Sequence, residues 1–197
     1  MTIILDNGHG SNTPGKCSPD KQVREWRVVR DIVDMLYRDL TRLGYNVVRL
    51  VREEVDVALR ERCRRANAIA KEVGVRNAIL ISVHINAAGG DGQWHSAQGF
   101  SAHVSKNASS RSKRLAKLLW DEAIQNDLKG NRCRPAEGYI VQNLTMCRDT
   151  NCPAVLSENL FMDNRTDAAQ LLTAEGKKKI VKAHFDAIVR YVEEYGQ

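Results

Sequence analysis

Residues 2–10 read TIILDNGHG. Three apolar residues follow a threonine, and then come an aspartate, an asparagine and a histidine held between two glycines. So short an apolar run, rich in β-branched residues, reads as a strand buried on both faces over residues 2–6, with the polar tail leaving the sheet. Two further runs end in the same way: AILISV at 78–83 stops at His84, and PAVLS at 153–157 stops at Glu158. Strands are also expected at 45–51, 99–104 and 138–143.

Between these runs the apolar period changes from two to three and four. Val29, Ile32, Val33, Leu36, Leu40 and Leu43 make one helical stripe, and Gly44 stands where a C-terminal cap belongs. Further helices are expected over 56–73, with Leu59, Cys63, Ala66 and Ala70 inward, over 110–127, and over about 175–195. Strands alternating with helices argue for an α/β fold: a single domain with a mixed, mostly parallel open sheet of about six strands and helices on both faces. The 197 residues suit one domain, 1–197, with no separate appended domain expected.

Composition narrows the function classes. Hydrophobic residues make up 43% and charged residues 27%, as in a soluble globular protein, and nothing approaches the ~20 apolar residues of a membrane span. The N-terminus lacks the charged start and apolar core of a secretory signal, so either the protein stays inside or a leader has been removed. The formal charge of +6 favours anionic partners. However, aromatics are only 6% and no stacking cluster accompanies the basic residues, which argues against nucleic acid. The basic runs at Arg60 to Arg65, Arg111 to Lys117 and Lys177 to Lys182 read mostly as solvated helix faces. Cys17, Cys63, Cys133, Cys147 and Cys152 form an odd set without C-x-x-C spacing, which reads as buried or idle thiols.

In a parallel sheet the carboxyl ends of the strands share one edge, and ligands bind in the crevice outside it. His9, His84 and Glu158 all fall there. Glu25 arrives by another route, because it precedes Val29, Ile32 and Leu36 by four, seven and eleven residues and so extends their inward stripe. Burying that carboxylate unpaired would cost several kcal/mol, so a cation must meet it: an arginine such as Arg24 or Arg27, or a metal. Two imidazoles and a carboxylate suffice to hold a catalytic Zn²⁺ with one position left for water, and Glu158 is then free to act as general base. Asp6 is expected to orient a ligating histidine, with Gly8 and Gly10 giving the backbone a tight path around His9.

These residues carry a family resemblance. ILDNGHG, the glutamate of REW, SVHINA and PAVLSENLFMDN resemble, in order and spacing, the zinc-dependent N-acetylmuramoyl-L-alanine amidases of the Amidase_3 type. The likeness extends to Arg52, Asp56, Leu59, Arg62, Ala66 and Asn67, which match a recurring R…D…L..R…AN pattern, and it covers nearly the whole chain. It implies that His9, Glu25 and His84 hold zinc, that Glu158 is catalytic, and that the substrate is peptidoglycan, cut between N-acetylmuramic acid and L-alanine. Three features depart from the family pattern: Asn7 replaces a frequent proline, the loop SNTPGKCSPD replaces a short turn, and Leu160 stands where glycine is usual.

Two rivals remain open at this point. One is a zinc peptidase or amidohydrolase acting on another bond, and the other is a non-catalytic polyanion-binding domain. Trp94 and His95 are candidates to line a substrate groove, whereas His103 and His184 read as structural. The expected partners are peptidoglycan alone, with no nucleic acid and no membrane insertion, and a monomer is favoured. Synthesis in the cytoplasm with action at the wall or periplasm fits both a phage-type lysis enzyme and a remodelling autolysin.

Overall fold

In the computed structural model, which describes residues 1–129 and 135–196, six strands form one sheet in the order β2-β1-β3-β6-β4-β5. In chain order the elements are β1 (Thr2–Asn7), α1 (Glu25–Arg42), β2 (Asn46–Arg49), α2 (Leu59–Val73), β3 (Ala78–Asn86) and β4 (Phe100–Val104). They are followed by α3 (Ser110–Gln125), β5 (Ile140–Val141), α4 (Thr145–Arg148), β6 (Ala154–Phe161), α5 (Arg165–Leu172) and α6 (Ala174–Tyr195). β2, β1, β3 and β6 run parallel, while β4 is antiparallel to β6 and β5 follows β4. The fold class is therefore the α/β, mixed and mostly parallel sheet that the sequence predicts.

The sheet has a core on each face. Ile3, Leu5, Ile79, Ile81 and Val83 look toward α1, α3 and α6. Ile4 and Leu80 look the other way, toward Cys63, Ala66 and Ala70 of α2 and Met146 of α4. Burial on both sides explains why these strands are apolar without alternation. α1 ends as its glycine predicts. Gly44, at φ +83°, donates to Thr41 O (2.9 Å) and Tyr45 N to Leu40 O (3.2 Å), the paired bonds of a Schellman cap.

Some boundaries differ from the sequence reading. β3 and β6 continue past His84 and Glu158, to Asn86 and Phe161, so both side chains stand on strands rather than just beyond them. β2 and β5 are shorter than expected, and α2 starts at Leu59, whose side chain is exposed instead of inward. α5 was not foreseen. Its eight residues bury only Asp167, Ala168 and Leu171, too few to show a period, and it is set by Asn164, whose Oδ1 accepts from Thr166 N and Asp167 N. Cys63, Cys147 and Cys152 are buried free thiols, and burial pushes Cys147 and Cys152 up to about 12. Cys133 lies outside the described residues.

Candidate metal centre

β1 and β3 are neighbours in register, Asn7 lying opposite Val83, so the turn after β1 arrives beside His84. The two glycines around His9 are there for space more than for backbone freedom. A Cβ on Gly8 would stand 2.3 Å from the His84 ring, and one on Gly10 would stand 2.0 Å from Asp56 N. The left-handed turn is made by His9 itself, at φ +61°, a conformation that disfavours side chains.

Two arginines hold that turn. The His9 carbonyl accepts from Arg30 Nη1 (3.1 Å) and Arg62 Nη2 (3.4 Å). Arg62 is buried, and all five of its N–H groups have acceptors. Nε donates to Val57 O (2.7 Å), Nη1 to Asp6 Oδ1 (2.7 Å) and Asn7 O (2.5 Å), and Nη2 to Asp56 Oδ1 (2.8 Å) as well as to His9 O. Asp6 thus serves differently from the expectation. Its oxygens are taken by Arg62 and by Ser82 Oγ (2.6 Å), so it orients the arginine beneath the turn instead of a histidine.

Glu25 begins α1 and meets its partners where the stripe argument requires one. Neither Arg24 nor Arg27 is that partner. Oε1 accepts from Ile85 N (2.9 Å) and lies 3.2 Å from His84 Nδ1, while Oε2 lies 3.5 Å from His9 Nε2. The rings of His9 and His84 stand edge to face, with centroids 5.1 Å apart. One ligand atom from each of the three residues falls within 4.8 Å of the others, and among the described residues no other trio of His, Cys, Asp or Glu converges in this way.

The electrostatics agree with a site built for a cation. Burial alone would raise the Glu25 carboxyl, but His84 and His9 outweigh it and keep the pKa below the ordinary value. Burial depresses His9, against the pull of Glu25. For His84 the Glu25 carboxylate outweighs burial and raises the pKa. Glu25 Oε2 is buried without a hydrogen-bond partner, as a ligand oxygen is before its metal arrives. One ligand atom from each residue within 4.8 Å of the others is close enough for all three to reach one ion through bonds of about 2.0–2.2 Å after small side-chain adjustments. The donor set suits zinc.

Glu158 is the direct neighbour of His84 across the β3–β6 pair and of Ser101 across β6–β4. Its Oε2 is also buried and unpartnered, and burial pushes the carboxyl up to about 7. Just beyond it the ladder slips, with His84 facing Glu158 but Asn86 facing Phe161, so β6 carries one extra residue. Leu160 lies in this bulge at φ +67°, and Phe161 N donates to Asp167 Oδ2 (2.9 Å). Bulges re-aim strand residues, and this one lies two residues after Glu158.

A family model described as N-acetylmuramoyl-L-alanine amidase matches residues 3–190. The chain belongs to the N-acetylmuramoyl-L-alanine amidase family. This amidase family is zinc-dependent. An endolysin of Bacillus phage SPP1 is 32% identical over 189 residues, covering 94% of this chain and 64% of the endolysin. A sporulation-specific N-acetylmuramoyl-L-alanine amidase of Bacillus subtilis is 24% identical over 190 residues, covering 95% of this chain and 67% of that protein. The chain thus spans about two thirds of the length of these curated relatives. Among solved structures, the amidase Ami1 of Mycobacterium smegmatis superposes with a TM-score of 0.84 at 18% identity, over 98% of this chain and 97% of that one, which shows a shared fold.

Within this amidase fold the remaining sequence candidates fall around the site. Trp94 lies under Arg165, whose guanidinium is 4.6 Å from the ring, and His95 Nε2 is 2.9 Å from Asp91 Oδ1. Both belong to a loop fastened to the end of β6, where Asp163 Oδ2 accepts from Ala88 N (2.7 Å) and Gly89 N (3.0 Å). His103 and His184 are buried in the sheet and in α6, and burial holds each at about 4. Arg62, which the sequence reading placed only in the R…D…L..R…AN pattern, has a role that the reading did not find: it holds the His9 turn. It lies on the same stripe as Ala66 and three residues from Leu59, the kind of signal that revealed Glu25.

Proposed function

We propose that this chain hydrolyses the amide between N-acetylmuramic acid and the first L-alanine of peptidoglycan, with His9, Glu25 and His84 as zinc ligands and Glu158 as the catalytic residue. The observation that carries this reading is the pair of buried, unpartnered carboxylate oxygens. Glu25 Oε2 faces His9, and Glu158 Oε2 belongs to the strand neighbour of His84. The first awaits a cation and the second a proton. Family membership supports the choice of bond, as do the names of the relatives, one an endolysin and another a sporulation-specific amidase.

A zinc ion held by the three residues supplies Lewis acidity toward the scissile carbonyl and lowers the pKa of water toward about 7. The chain's own residues do the rest. Glu158 accepts a proton from the attacking water and returns it to the departing amide nitrogen, a task for which a carboxyl lifted toward neutrality is suited. Arg30 and Arg62 keep the His9 turn in place, and Ile85 N fixes the Glu25 carboxylate, so the donor geometry is set before substrate binds.

Zinc quantification joined to a digest of purified sacculi tests this. The expected products are a free lactyl carboxyl on muramic acid and a new alanine amino terminus. Cuts within the stem peptide would make the protein a peptidase. Glu158→Gln should keep zinc and fold while turnover falls by about 10²–10⁴. His9→Ala should lose zinc. In the cell, the action is at the wall, reached either by release from the cytoplasm, as for a lysis enzyme, or by export.

A further inference from the structure

The part of the β1–α1 loop after Gly10, residues 11–24, begins with the stretch SNTPGKCSPD, which departs from the family pattern, and the mechanism leaves it without a role. It is firmly built. Ser11 N donates to Glu54 O (2.8 Å), Asp56 N to Asn12 Oδ1 (2.7 Å) and Thr13 Oγ1 to Asp56 Oδ2 (2.7 Å). At its far end Ser18 and Val23 are joined by backbone and side-chain bonds of 2.9 Å, and Cys17 bridges to Arg24. Between these anchors Lys16 O accepts from Glu25 N (3.0 Å), so the Lys16 backbone abuts the residue that completes the metal trio.

The Lys16 side chain is exposed, and among the described residues its ammonium has no carboxylate within ion-pair distance. Asp20 of the loop and Asp56, to which the loop is anchored, are engaged elsewhere: Asp20 with Ser18 and Gln22 N, and Asp56 with Thr13 and Arg62. The Lys16 charge is felt at both His9 and Glu158, in line with a backbone that abuts Glu25. An exposed cation with no ion-pair partner, on a backbone bonded to Glu25, suits an anion carried by the substrate.

We propose that Lys16 is a specificity-determining residue that pairs with a carboxylate of the stem peptide next to the scissile amide. This rests on the amidase reading above. The residue after the alanine is attached about 3.8 Å further along, Cα to Cα, so its carboxyl stays close to the scissile amide. In peptidoglycan that second residue is a glutamate linked through its side chain, and its α-carboxyl is either free or amidated. A free carboxylate gives Lys16 a charge-assisted partner, and an amide does not.

The test compares two soluble muramoyl peptides, one with the free α-carboxyl and one with the amide, using the zinc-loaded protein. The wild type should favour the free acid in kcat/KM by about five- to tenfold, mostly through KM. Lys16→Met should erase the preference, Lys16→Glu should invert it, and Lys16→Arg should restore it, with zinc content equal to wild type throughout. A preference that survives Lys16→Met overturns the inference. So does an equal fall on both substrates, the sign of a general attraction to anions. Failure of the wild type to cleave either peptide at the lactyl amide would instead count against the amidase reading itself.

Discussion

Leu160 occupies the left-handed region at φ +67°, and its backbone makes a quantitative prediction. The side chain is 1% exposed, so Leu160→Ala should cost roughly 2–5 kcal/mol of packing while leaving the backbone strain in place. Going on to Gly removes one more methyl, about 0.8 kcal/mol. It also adds about 0.5–1 kcal/mol of unfolded-chain entropy. At an ordinary strand position, Gly is therefore the worse of the two by about 1.5 kcal/mol. At Leu160 the release of left-handed strain offsets this by about 1–2 kcal/mol, so the Gly and Ala variants should agree within about 0.5 kcal/mol. Leu156, 5% exposed on the same strand and in regular pairing with Ser82 and His103, is the internal control, where Ala should beat Gly by the full amount. Urea unfolding followed by tryptophan fluorescence and far-UV circular dichroism, with a chelator present so that metal binding does not contribute, gives all four stabilities. A Gly deficit at 160 as large as that at 156 would refute the reasoning, because the bulge would then hold no strain that a side chain feels.

Further predictions concern the buried polar groups and the metal. His184 is neutral, with Nδ1–H donated to Ile180 O (2.8 Å) and Nε2 accepting from Ser157 Oγ (2.9 Å). Its pKa of about 4, against an ordinary 6.5, means that only the unfolded chain takes up this proton between those values. Stability should therefore be complete above pH 6.5 and fall by about 3 kcal/mol as pH drops to 4, a slope that His184→Gln flattens. Arg62→Met strands the buried Asp6 carboxylate and should cost about 3–5 kcal/mol, much of it recovered when Asp6→Asn is added, as denaturant unfolding of the single and double variants will show. Free zinc at a hundred times its dissociation constant should stabilise the wild type by about 2.7 kcal/mol, read as a rise in Tm, and should leave Glu25→Gln nearly unmoved.

Much of this was legible in the sequence, and the exceptions share a physical cause. The apolar runs at 78–83 and 153–157 disclosed the central strands because burial on both faces leaves no room for polar alternation. Glu25 was legible because a carboxylate on an inward stripe demands a partner. Arg62 satisfies the same test, standing four residues before Ala66, but it lies within a run of arginines that reads as a solvated face, and Leu59 drew the inward assignment in its place. The bulge was not legible. One extra residue in β6 changes no pattern of apolar residues, and so it leaves no signal in the hydrophobic period. The reversal of β4 also leaves no mark, because a short, wholly buried strand looks alike in either direction.

The bulge and the second face of β6 together explain how a strand can present Glu158 without loosening His84. Alternation turns Ser157 and Asn159 away from the metal side, into the core beneath α6. There Asn159 Nδ2 donates to the His84 carbonyl (2.9 Å) and approaches Ser157 Oγ (3.1 Å), whose proton goes to His184. His84 is thus held through its ring by Glu25 on one side and through its carbonyl by a buried polar line that ends on α6. His9 is fixed in an analogous way, with its imidazole facing Glu25 while its carbonyl takes two arginine donors. Each imidazole of the proposed metal site is therefore fastened at its backbone by side chains outside the His9, Glu25 and His84 trio. That arrangement lets a strained left-handed residue and a bulged strand hold the facing side chains at fixed separations.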